Sequence, residues 1–185
     1  MSIISREFYS HDTVTVAKNI LGKRIIRRIG NQTMSGVITE TEAYRHTDDP
    51  ASHAFRKITD RNKIMFGEVG FAYVYFTYGM HYCFNIVARN PRIAAGAVLI
   101  RAIEPEKGIK IMLKNRNNVN IKNIANGPAK LAQALQITKE HYGLDLTKNS
   151  NLYITDGIKP KKIIASPRVG IKEATDKLWN FKIEI

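Results

Sequence analysis

Residues 37 to 44 alternate along Val37-Ile38-Thr39-Glu40-Thr41-Glu42-Ala43-Tyr44, a period of two that suits a β-strand rather than a helix. Glu40, Glu42 and Tyr44 then share one face, and Thr39, Thr41 and Ala43 the other. Two carboxylates and an aromatic ring are thereby neighbours on one surface of a sheet. His53 follows, and after it a tyrosine-rich run from Tyr73 to Tyr82. In a chain of net charge +13, acids and stacking rings gathered into one stretch point to a basic surface around an acidic, aromatic pocket.

The rest of the chain reads as a mixture of elements. Asp12 to Leu21 predicts a short helix, N-capped by Asp12, with Val16, Ile20 and Leu21 on one face and Gly22 past its end. Arg24 to Ile29 reads as a strand, turned by Gly30-Asn31-Gln32. Residues 45 to 62 are polar and irregular, with Asp48-Asp49-Pro50 as a turn. Phe71 to Thr77 and Tyr82 to Ala88 form a hairpin pattern around Tyr78-Gly79-Met80-His81. Ala97 to Ile103 reads as a buried strand, and Pro105 is expected to open a helix with Ile109, Met112 and Leu113 inward. After a basic, Asn-rich loop, Gly127-Pro128 starts another helix carrying Leu131 and Leu135. Short strands and loops are expected around Tyr153-Ile154, Ile163-Ile164 and Trp179 to Ile185.

At 185 residues the chain is expected to form one domain, residues 1–185, with a single core. Cys83 is its only cysteine, which excludes an internal disulfide and a cysteine-based zinc site; its apolar surroundings suggest a core residue. The longest apolar run, Ala94 to Ile100, is too short to cross a membrane, and the first residues lack a signal-peptide pattern. A reducing intracellular setting is the expectation. Lysines and arginines number 29 against 16 acids, and the stretch between Glu106 and Glu140 carries cations alone. That pattern suits a polyanion, and also suits plain solubility. Lys130, beside the helix opened by Pro128, marks a candidate phosphate contact.

Glu42, beside Tyr44, could act as a base that activates water, or stand as a solvated strand carboxylate. Arg101 interrupts an apolar strand and needs a partner, which Glu42 could supply. Asn85 is likewise polar within an apolar strand, where on the residue alone a core amide bonded to backbone is the leading reading. Tyr44, Tyr75 and Tyr78 could fill a sheet or stack on bases. The zinc-deaminase, Walker, dinucleotide-fold and nucleophile-elbow motifs are all missing from the sequence, so chemistry without metal or cofactor is expected.

Together these residues resemble the alkyladenine-type 3-methyladenine DNA glycosylases, the group without a helix-hairpin-helix fold. The matching motifs run in order over nearly the whole chain: Ile38 to Tyr44, Asp49-Pro50-Ala51-Ser52-His53, Arg61-Asn62 with Met65-Phe66-Gly67, Ala72 to Asn85, Leu99 to Pro105, Asn126 to Leu131 and Pro167 to Ile171. The resemblance implies an α+β fold: one mixed domain with a curved antiparallel β-sheet, surrounding helices and a protruding β-hairpin that inserts into DNA. It implies that Glu42 is the general base and Arg101 its positioning partner. Tyr44, His53 and Tyr75 become walls of the base pocket and Asn85 a screen for the purine 2-amino group. Tyr78 becomes the wedge that replaces the flipped base, with Met80 and Lys130 as further DNA contacts.

The implied reaction is hydrolysis of the N-glycosidic bond of an alkylated purine, by a monomer acting on double-stranded DNA with no cofactor and no metal. No lysine or amino terminus falls in a matched site role, so the product is an abasic site without strand cleavage. A glycosylase for deaminated or etheno purines and a non-catalytic DNA-binding module are the alternatives. Two departures from the family pattern stand out. Arg56-Lys57-Ile58 replaces a glycine followed by a basic residue, which suggests a differently shaped loop. Leu178-Trp179-Asn180 stands where Pro often precedes the Trp and Arg follows it, which suggests a lost phosphate contact.

Overall fold

The computed structural model describes residues 2–77 and 79–185. Its frame is one antiparallel sheet, curled into a half-barrel. The strands are β1 (Arg24–Ile29), β2 (Gln32–Arg45), β3 (Ala72–Thr77), β4 (His81–Val87), β5 (Gly96–Lys107), β6 (Leu152–Thr155), β7 (Ile164–Ser166) and β8 (Asn180–Lys182). They lie in the order β3-β4-β5-β2-β1-β6, with β8 paired to β2 and β7 to β8. The α+β class and curved antiparallel sheet are those the sequence led us to expect.

β2 is the spine. Its 14 residues are enough for β5 to pair along one edge while β1 and β8 share the other, β1 beside residues 32–37 and β8 beside 40–42. Register shifts interrupt the β2–β5 ladder beside the carboxylates, one between Ile38 and Glu40 and one between Glu40 and Thr41. Such bulges bend a strand and increase its twist, which helps the sheet curl just where the carboxylates sit.

Helices α1 (Thr13–Asn19), α2 (Ile109–Asn115) and α3 (Pro128–Ala134) are short. Helices of this length are not stable alone in water and depend on the apolar faces they bury. Val16, Ala17, Ile20 and Leu21 pack with Ile38, Ala43, Val98 and Ile100 in the main core, and Leu131, Ala132 and Leu135 extend it. On the opposite face of the sheet, Tyr73, Val87 and Ala97 make a smaller cluster with Ala54, Met65 and Ala95 beneath the irregular segment after β2.

Asp12 caps α1 as expected, its Oδ1 accepting from Val14 N at 2.9 Å and Thr15 N at 3.4 Å. The other oxygen accepts from Arg45 Nη1 at 2.7 Å, tying the helix to the end of β2. Gly22 follows with φ +81°, and a side chain there would strike the carbonyl of Ile158. Only glycine meets both demands without strain.

Pro105 does not open a helix. β5 continues through it to Lys107, pairing Pro105 with Gly36 beside a further register shift, and α2 begins only after Gly108 turns the chain at φ +71°. β4 covers only Ala97 to Leu99 of β5, so this far end has one free edge, where proline is tolerated. Pairing with β2 outweighed the local helix-start signal.

β3 and β4 pair from Ala72↔Ile86 to Thr77↔His81, and the turn between them places Met80 at 68% exposure. Tyr78 lies outside the described residues.

We predict that Asp12→Ala costs about 1 kcal/mol through the lost cap, which for a chain of this size lowers the melting temperature by about 2–4 °C in a thermal unfolding scan.

Candidate active site

Alternation in the central strands aims one residue in two at a pocket of about 580 Å³. Ala97, Leu99 and Arg101 reach it from β5, Tyr73 and Tyr75 from β3, Cys83 and Asn85 from β4, and Tyr44 from β2; the segment Val169 to Glu173 closes one side. That volume lies within the range of small-molecule sites.

Behind the wall is Glu42, a carboxylate with no exposure at all. Burial of an ionised group is tolerable only where its lone pairs are met, and here each oxygen accepts two hydrogen bonds. Oε1 accepts from Val169 N at 2.8 Å and Asn180 Nδ2 at 3.0 Å. Oε2 accepts from the Tyr44 hydroxyl at 2.8 Å and Arg101 Nη1 at 3.2 Å. Tyr44 and Arg101 line the pocket, so Glu42 meets the pocket through them.

Arg101 is shared. Its Nε donates to Glu40 Oε1 at 2.8 Å, and the same oxygen accepts from Asn180 Nδ2 at 2.8 Å and lies 3.4 Å from Lys182 Nζ. Burial works to raise the Glu40 pKa, but Asn180, Arg101 and Lys182 together outweigh it and hold that carboxyl below its ordinary value. Arg101 is shifted upward: desolvation opposes the cation, and Glu42 and Glu40 more than offset it. Ionised Glu40 and protonated Arg101 therefore form a stable pair on the floor of the site.

A second buried pair fixes the closing segment. Arg168 and Asp49 have fully buried side chains and meet through two bonds of 2.6 Å, and Arg168 also donates to the Ala43 carbonyl at 2.9 Å. Its guanidinium lies 4.6 Å from the centre of the Tyr44 ring and 5.2 Å from that of Trp179. Arg168 itself does not line the pocket, so it backs Tyr44 while setting the next residue, Val169, with its N–H toward Glu42.

The aromatic walls are held in a similar way. The Tyr75 ring meets His53 edge-on at 4.8 Å, carries Arg61 at 4.6 Å and lies on β3 opposite Cys83, its cross-strand partner. Burial first, then Glu42, raises the Tyr44 pKa, and burial likewise raises that of Tyr75, so both stay neutral phenols. His53 Nδ1 lies 2.9 Å from the Tyr73 hydroxyl. Desolvation, followed by the Arg61 charge, lowers the His53 pKa to about 4. Its ring is open to solvent at the pocket mouth. Asn85 donates through Nδ2 to the Tyr73 carbonyl at 3.0 Å and lines the pocket.

The structure thus gathers Glu42, Arg101, Tyr44, His53, Tyr75 and Asn85 at one site. Met80 stands apart at the hairpin turn, and Lys130 donates to Asn126 Oδ1 at 2.8 Å on α3, whose first residue, Pro128, borders the pocket. Among the described residues no cluster of His, Cys, Asp and Glu could hold a metal ion.

Sequence reasoning missed Glu40 as a partner of Arg101, and it missed Tyr73, Arg168 with Asp49, and Asn180. The sequence marks Asn180 only as a departure from the resembled family's pattern. The side chain is fully buried and bonds two carboxylates, because β8 is inserted beside β2 with Asn180 opposite Glu42. The Arg56-Lys57-Ile58 loop is exposed, yet buried Asn62 staples it by donating to the carbonyls of His53 at 2.7 Å and Lys57 at 2.9 Å.

A ring-lined slot backed by a buried, fully bonded carboxylate and a guanidinium can hold a flat ring beside an acid and its cationic partner. The methylpurine-DNA glycosylase family matches residues 7–185, and this chain belongs to it. A protein of Carboxydothermus hydrogenoformans named "Putative 3-methyladenine DNA glycosylase" is 45% identical over 98% of this chain and 95% of its own length. Proteins of the same name from Prosthecochloris aestuarii and Ehrlichia chaffeensis are each 44% identical, over 97% and 98% of this chain and 86% and 93% of their own. The chain is a DNA glycosylase, a hydrolase of N-glycosyl bonds.

Two outcomes are expected from this geometry. Asp49→Asn strands the buried Arg168 charge and costs about 3–5 kcal/mol in a denaturant titration. For His53 the unfolded chain takes up its proton near pH 6.5 and the folded one only near about 4. Its contribution to stability is therefore complete above pH 6.5 and declines as pH falls from there toward 4. Unfolding measured across that window should show a smaller decline in His53→Gln.

Proposed function

We propose that this protein removes alkylated purines, 3-methyladenine and its relatives, from double-stranded DNA, leaving an abasic site in base excision repair. The observation that carries this reading is the placing of the Glu42 carboxylate, held by four donors, directly behind Tyr44 and Arg101 at the pocket wall. In this reading Glu42 is the general base that directs water at the sugar carbon, and its charge stabilises the oxocarbenium character of the transition state. Arg101 pairs with it and orients it.

One of the four donors must give way for a water to reach Glu42. Two donor side chains line the pocket, and Arg101 is also held by Glu40, so the Tyr44 hydroxyl is the one that a purine seated against its ring is placed to loosen. Tyr44 and Tyr75 would hold the base between them with His53 at the mouth. If the Tyr73 hydroxyl donates to Nδ1 of His53, the histidine proton stays on Nε2 as a donor. Asn85 would screen the purine edge for a 2-amino group.

Such an enzyme reaches its target by flipping the nucleotide out of the helix, which costs less at a damaged pair. Tyr78 would fill the gap, with Met80, two positions on in the sequence, and Lys130 as further contacts to the DNA. An alkylated purine is cationic, so π-faces attract it and its glycosidic bond is already weak.

One observation favours a second reading, that neutral deaminated or etheno purines are good substrates. Both walls are already backed by guanidinium groups, Arg168 at Tyr44 and Arg61 at Tyr75, which reduces the pull of the rings on a further cation.

Base release from duplexes carrying 3-methyladenine, 7-methylguanine, hypoxanthine or ethenoadenine separates the two readings by which lesions are excised fastest. Glu42→Gln is expected to abolish release from all four while keeping affinity for an abasic-site analogue. Full activity in that variant would overturn the mechanism. Affinity should fall steeply as salt rises, with a slope set by the number of phosphate contacts.

A further inference from the structure

We propose that Asn180 is a positioning residue for Glu42, a neutral clamp that orients the base while leaving its charge free to act. The proposal rests on the reading of Glu42 as the base, and it gives a role to a position where the resembled family often carries arginine. Pairing of β8 with β2 sets Asn180 directly opposite Glu42 and Lys182 opposite Glu40. The single Nδ2 group then serves both acids, at 3.0 Å from Glu42 Oε1 and 2.8 Å from Glu40 Oε1, and the side chain has no exposure.

The amide has one usable orientation. Its Oδ1 accepts from the Ser166 hydroxyl at 3.2 Å, and a flip would turn that oxygen onto two carboxylates. β7, which carries Ser166, pairs with β8 and fixes the register. Asn180 thus lies in a chain of contacts from Ser166 through the amide to both acids.

The chemistry explains why a neutral donor is useful. Glu40 and Glu42 already face two cations, Arg101 at 2.8 and 3.2 Å and Lys182 at 3.4 Å from Glu40. An additional guanidinium would place an excess positive charge where a positive sugar is to develop, and would weaken the field of Glu42 there. Asparagine supplies two hydrogen bonds without that charge. Aspartate, of the same shape, would remove the donor and add a third carboxylate.

The test uses Asn180→Asp and Asn180→Ala in the full chain, with single-turnover release of 7-methylguanine followed from pH 5 to 9 and affinity measured for duplex DNA bearing an abasic-site analogue. Both variants should bind the analogue within about twofold of the parent, since no DNA contact is removed. Release on the acid side of the profile should fall about tenfold or more, because a carboxylate that loses a donor, or gains an acidic neighbour, is protonated more readily. The acid side of the rate profile should therefore move to higher pH in both, and further in Asn180→Asp.

A uniform loss of rate with an unmoved acid side, or no loss, overturns the proposal. Analogue binding reports the fold of each variant, and the alanine substitution decides the matter alone if the aspartate one does not fold. Glu42→Gln, run in parallel, separates the two failures. If it is active, the reading of Glu42 is wrong; if it is inactive while the Asn180 variants keep the parent profile, only the role of Asn180 is wrong.

Discussion

A carboxylate with no exposure to water sets most of what surrounds it. Glu42 must receive a hydrogen bond at every lone pair, and its four donors come from four separate parts of the chain: Tyr44 on β2, Arg101 on β5, Val169 in the loop after β7 and Asn180 on β8. A buried acid left unpaired would cost several kcal/mol or take up a proton. The demand of one side chain therefore helps explain why the segment from Arg168 to Asn180 folds back onto β2, although it holds little regular structure of its own.

The same demand explains the second ion pair. A backbone N–H is useful to Glu42 only if its loop is rigid, and the loop at Val169 has few apolar anchors, since Val169 itself is 54% exposed. Arg168 supplies the anchor from the adjacent position, through Asp49 and the Ala43 carbonyl. Asp49 also accepts from Arg45 N at 3.2 Å, so the turn after β2 and the loop before β8 are fastened to each other. The geometry around Glu42 is held by buried polar contacts laid over an apolar frame, with Arg168 Nε the one buried atom of that pair left without a partner.

How much of this could be read from the sequence depends on the range of each interaction. Alternation in β2 placed Glu42 and Tyr44 together because both lie on one strand, and Asp12 declared a helix start through local capping chemistry. Arg101 announced itself as a charge in an apolar run, which pointed to a partner without showing that it would be divided between Glu40 and Glu42. Pro105 misled because its local preference was overridden by pairing with β2. Asn180 and Asp49 were opaque for a different cause. Their partners are 138 and 119 positions away, and a short polar residue in an irregular segment looks the same whether it faces water or a buried acid. A family motif could point to the Pro167 to Ile171 segment, but not to its backbone N–H as the functional atom.

Charge inside the site is locally balanced, and this bears on the large excess outside it. Glu40, Glu42 and Asp49 are opposed by Arg101, Arg168 and Lys182 in direct contact. The surplus of +13 is therefore spread over the rest of the molecule, where lysines such as Lys159, Lys161 and Lys162 are exposed. Separation of the two matters because the tasks conflict. A long-range positive field draws in a polyanion, whereas the same field concentrated at the reacting sugar would oppose the positive charge that forms there. Salt bridges around a buried acid resolve the conflict: paired cations contribute little at a distance, and the uncompensated ones stay at the surface, where solvent and counterions screen them from the pocket.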